Sequence, residues 1–81
     1  MFGTDDHRDP AERALEAAAG LKPGAWESVE TLSLLAIEVA DRPEARQLLA
    51  SAQTAAASLK AGTYQAVRAL AWLSRATRDV G

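Results

Sequence analysis

"AWESVETLSLLAIEVA", residues 25–40, decides the fold. At about 100° per residue, Val29, Leu32, Leu35, Ala36 and Val39 fall on one side of a helix. Trp26, Ser33, Ile37 and Ala40 widen that side until little polar surface is left. A helix this apolar is predicted to be central and the most buried. Its single polar strip carries Glu27, Glu30, Thr31, Glu38 and Asp41, with Leu34 in the middle.

Working outward, "DPAE" at 9–12 is a strong helix start: Asp9 at the N-cap, Pro10 at the first helical position, and Glu12 placed to reach back in a capping box. The helix it opens is predicted over 10–19. Gly20 suits a left-handed C-terminal cap with Leu21 folding back, and Lys22–Gly24 makes the turn. On the other side, "DRPE" at 41–44 repeats the capping logic with Asp41, Pro43 and Glu44, opening a helix that runs to about residue 60. Its seam is Ala45, Leu48, Leu49, Ala52, Ala55, Ala56 and Leu59, with small residues where a neighbouring backbone comes close. "AGT" at 61–63 reads as a glycine stop and a threonine N-cap before a last helix over 64–79. A lone glycine costs only about 1 kcal/mol in a helix, so Gly62 also permits one fused rod of about 35 residues, which would need a second chain to cover it.

The expectation is an all-α fold: a three- or four-helix antiparallel bundle over residues 10–81 behind a polar, flexible leader at 1–9. A chain of 81 residues is one domain, which buries only about 60 to 65% of the surface its unfolded form exposes. Nineteen residues are alanine; ten leucines, one isoleucine, four valines and four aromatics supply the bulk. Alanine favours helix but contributes little burial. With no cysteine to form a disulfide, the stability balance is tight, and a second chain would help. No basic region precedes an apolar run as a signal peptide needs, and the longest apolar stretch, "LLAIEVA", is interrupted by Glu38. A cytoplasmic protein without a membrane span is expected.

Chemistry is poorly supplied. The one histidine, His7, sits in the leader beside Asp5, Asp6 and Asp9, where a metal would first have to order the segment, so no metal and no cofactor are expected. None of Ser28, Ser33, Ser51, Ser58 and Ser74 has a histidine on a rigid element to activate it. Glu27, Glu30 and Glu38 read as a hydrated strip rather than an acid–base pair, and "GLKPG" lacks the strand and the lysine–hydroxyl ending of a phosphate loop. An enzyme is not expected.

Charge is unevenly placed. Residues 1–45 carry ten acids and four bases, residues 46–81 five bases and one acid. In "RALAWLSRATR", residues 68–78, Arg68 and Arg75 lie roughly 40° and 60° from Trp72 on the same side. Val67, Leu70 and Leu73 point elsewhere, so the indole is off the obvious core face. A basic strip with an apolar centre (Arg68, Trp72, Arg75, with Arg78) thus answers an acidic strip with an apolar centre (Glu27, Leu34, Glu38). Tryptophan and arginine are enriched at interface hot spots. The expected function is a small non-catalytic interaction module, an adaptor or regulator. Through this face it forms a homodimer or higher homo-oligomer, or binds a protein with an acidic helical face. The competing reading of Trp72 packs it under the first helix or the leader. Trp26 is expected to pack against the first and last helices, and Tyr64 to staple the turn before the last helix with its ring. A DNA-binding regulator using the last helix is the alternative, against which stand few bases, an acidic remainder and a preceding helix too long for a helix-turn-helix.

Overall fold

The wide apolar face of residues 25–40 becomes the axis of the molecule. The computed structural model describes residues 9–21 and 24–81, and in it four α-helices follow one another: α1 Pro10–Ala19, α2 Trp26–Glu38, α3 Glu44–Ala57 and α4 Tyr64–Val80. There is no strand among the described residues. Residues 1–8 of the leader and residues 22 and 23 of the first turn lie outside them; Asp9, the leader's last residue, is the N-cap of α1. α2 packs extensively on α3 and α4 and lightly on α1.

Two buried clusters join the three long helices. Val29, Ala55 and Ala69 form the first, edged by Trp26, Ala56, Leu59 and Leu73. The second is Ala36, Leu49 and Ala76, edged by Ile37, Leu48, Leu73 and Val80. From Val29 to Ala36 along α2, the partner on α4 advances from Ala69 to Ala76 while the partner on α3 recedes from Ala55 to Leu49. Seven of the eleven buried apolar residues are alanine, and no fully buried side chain is larger than valine. Small side chains let helix axes approach closely, but each removes little hydrocarbon from water.

The ends of the elements show which local signals held. Asp9 accepts from the Glu12 amide at 2.8 Å, Glu12 reaches back to the Asp9 amide at 3.4 Å, and the capping box is complete. Thr63 caps α4 by accepting from the Ala66 amide at 3.1 Å. α3 does not start on Asp41. Its first residue is Glu44, Pro43 holds the N-cap position at φ −60° without a side-chain bond, and a bond from the Arg42 amide to the Val39 carbonyl at 2.8 Å turns the chain instead. Gly20 is right-handed at φ −93°; the Gly20 and Leu21 amides close α1 on the Ala17 and Ala18 carbonyls, and Leu21 stands in solvent rather than folding back.

A fused rod is not formed. α3 ends at Ala57, short of residue 60, and the chain runs non-helically to Thr63. Ser58 Oγ binds the Ala55 carbonyl, the Trp26 indole holds the Lys60 carbonyl at 2.8 Å, and the Thr63 cap restarts the helix. These three bonds hold the break at Gly62. On α4, the side turned inward is Ala66, Ala69, Leu73 and Ala76, while Val67 is 65% exposed and Leu70 is at the surface. No helix among the described residues is long and apolar enough to cross a membrane.

Candidate functional site

The strip on α4 is built by helical spacing and aimed by one ion pair. Arg68 Nε donates to Glu30 Oε1 at 3.0 Å, with 61% of the arginine side chain still in solvent. Glu27, Glu30 and Leu34 share one flank of α2 at i, i+3 and i+7, and Arg68, Trp72 and Arg75 share one flank of α4 at i, i+4 and i+7. The Glu30–Arg68 bond therefore brings the two flanks side by side where α2 meets α4. Trp72 is half-buried there; Leu34, Glu27, Glu38 and Arg78 are exposed. Arg75 Nε donates to Asp79 Oδ2 at 3.2 Å, an i,i+4 pair that leaves its terminal amino groups open. α1, one cover the sequence allowed for Trp72, packs on α2 instead.

The seam of α3 faces the same chain. Ala45, Leu49, Ala52 and Ala55 are buried and Leu48, Ala56 and Leu59 half-buried, and Ala55 and Leu49 anchor the clusters with α2 and α4. Trp26 packs on the cluster shared with α3 and α4 rather than on α1, and its indole caps a free carbonyl of the α3–α4 connection. Tyr64 does not staple that connection; it is 96% exposed. In the first turn of α4 its side chain points away from α2 and α3, and with Val67 and Leu70 it forms an apolar edge that counting bulky residues misplaces. The signal that finds it is the alanine spacing at 66, 69 and 76, which marks the inward side and so places Tyr64 and Val67 opposite.

Two further features stand outside these strips. Ser33, in the middle of α2, is fully buried and its hydroxyl has no hydrogen-bond partner. A cleft of about 630 Å³ opens between α1, α2 and α3, lined mainly by Leu15, Ala18, Leu21, Leu32 and Leu48. Its polar lining among the described residues is Glu44, Gln47 and Ser51. Among the described residues no group of three or more His, Cys, Asp or Glu is placed to hold a metal ion; His7, Asp5 and Asp6 lie outside them.

α1 buries no residue completely and is held by its cap and by Arg42 Nη2, 3.2 Å from Asp9 Oδ2. The hydrogen bond from the Glu12 amide, helped by the Arg42 guanidinium, holds the Asp9 carboxyl below its ordinary value of 3.8. The chain matches no protein-family model, no curated protein and no solved structure.

Proposed function

We propose that the chain is a small, non-catalytic helical interaction module of the cytoplasm. It self-associates, and it serves as an adaptor or regulator through the Arg68/Trp72/Arg75 face of α4. In this reading α2, α3 and α4 run up, down and up, consecutive helices antiparallel, as the memberships of the two buried clusters support. One observation carries the proposal: the fully buried core holds nothing bulkier than valine, while on this face Leu34 stands at the surface and Trp72 is only half covered. A domain this small with its bulk outside is one whose surface is completed by contact with another molecule. A duplex-binding role for α4 draws less support, because bases are few and the first half of the chain is strongly acidic.

The test is molar mass by sedimentation equilibrium over a wide range of concentration, with Trp72→Ala beside the wild type. Self-association that Trp72→Ala weakens, with the helical circular dichroism retained, is the expected result. A wild-type chain that stays monomeric at millimolar concentration overturns the proposal.

A further inference from the structure

We infer that the molecule seated on this face is a second copy, related by a two-fold axis, with α4 of each copy lying antiparallel on α2 of the other. The inference rests on the self-association proposed above and adds the partner surface and the register. Its basis is that the basic flank of α4 and the acidic flank of α2 lie side by side, joined by the Arg68–Glu30 bond. A surface carrying both halves of a complementary pair side by side can close on itself about a two-fold axis, each contact occurring twice.

The residue spacings select the direction. When α4 is set antiparallel on α2 of the second copy with Trp72 on Leu34, Arg68 falls opposite Glu38 and Arg75 opposite Thr31. Asp79 falls opposite Glu27, but it is already held by Arg75 at 3.2 Å, and Arg78 stands beside it opposite Ser28. The same apolar contact made with parallel helices offers Arg68 only Glu30, the carboxylate that the second copy's own bridge already occupies. It also puts Arg75 on Ile37 and Asp79 against Asp41, and leaves Glu38 opposite Ala76. Charge therefore favours the antiparallel register, which alone gives Arg68 a new acid, with an indole and a leucine at the centre of a polar rim.

Arg68 serves both contacts. Its Nε–H is taken by Glu30, and the terminal amino groups of its guanidinium remain for Glu38 of the second copy. Two helices side by side, about 10 Å between axes and about 20 Å of shared length, present about 500 Å² per copy. The total of about 1,000 Å² is at the lower edge of specific interfaces.

The experiment is a charge exchange read by sedimentation equilibrium at low salt. Glu38→Arg sets a base against Arg68 twice per dimer, and at the last turn of α2 a base is favourable to the helix itself. Arg68→Glu combined with Glu30→Arg inverts the intramolecular bridge, preserving it, and sets an acid at position 68 against Glu38 twice. Each variant alone is expected to self-associate about tenfold more weakly than the wild type. Mixed one to one they restore opposite charges at both contacts, and the mixture is expected to recover to within about threefold of the wild type. Association of both variants at wild-type strength, or a mixture no tighter than its components, overturns the register while leaving self-association intact. A monomeric wild type overturns both.

Discussion

Replacing Ser33 by alanine should make the protein more stable, although it removes a polar group from the centre of α2. Ser33 is fully buried and its Oγ has no partner. Helical hydroxyls usually escape this by bonding a carbonyl of the preceding turn, as Thr77 Oγ1 does to Leu73 at 2.8 Å and Ser58 Oγ to Ala55 at 3.0 Å. An unsatisfied buried hydroxyl costs about 1–3 kcal/mol. Alanine adds about 0.5 kcal/mol of helix propensity, and the lost dispersion contacts of a single oxygen take back a similar amount. The net is about 1–2 kcal/mol in favour of the variant, which for a domain of this size raises Tm by about 5–15 °C. Thermal unfolding followed by circular dichroism, at one fixed protein concentration because association also moves Tm, reads the difference. A Tm that falls or stays put would show that the hydroxyl is bonded in solution and that the reasoning is wrong.

The inward side of α4 is tested by two substitutions: Ala69→Leu, at a fully buried position against Val29 and Ala55, should cost about 1–3 kcal/mol, whereas Val67→Ala should change urea stability by no more than about 0.5 kcal/mol. Trp26→Phe removes the 2.8 Å bond to the Lys60 carbonyl and should lower stability by about 1 kcal/mol in the same assay, with faster amide exchange in residues 58–63. Because the folded state depresses the Asp9 pKa below 3.8, the cap contribution is complete above that value and is lost as pH falls through the lower folded one. Amide protection in α1 should therefore fall on acidification below pH 3.8 before that in α2 does, and a uniform response of all four helices would refute it.

Helix existence and the starts of α1 and α4 were legible because they depend on chemistry within a few residues. Asp9 with Glu12, and Thr63 before Tyr64, each complete their bonds inside one turn. Misplacements came where tertiary contact chose among locally permitted states. Asp41 has the right side chain to cap, but α3 begins too late for it to be the N-cap. Gly62 permits either a rod or a break, and the choice falls to Trp26, distant in sequence, whose indole binds the connection. Orientation of α4 was obscured by size: Val67 and Leu70 look like a core face until the closeness of α2 is known, and that closeness is what Ala66, Ala69 and Ala76 permit. The two charged strips could be read from spacing alone. That they lie side by side could not, since it depends on Glu30 reaching Arg68 across the helix pair.

That bond also bears on why the strip exists at all. An ion pair with 61% of the arginine side chain in solvent contributes little to folding, typically below about 1 kcal/mol. The fold would stand nearly as well with a neutral residue at position 68, because α2 and α4 are already joined by Val29 with Ala69 and Ala36 with Ala76. What the bond does is restrict a long, flexible side chain to one side of α4, next to Trp72, before any second molecule arrives. Ordering such a side chain on binding costs roughly 0.5–1.5 kcal/mol, and Glu30 supplies that order in advance. Arg75 is treated the same way by Asp79 at 3.2 Å. The two arginines flanking the half-covered indole are thus each held at Nε by a carboxylate of their own chain.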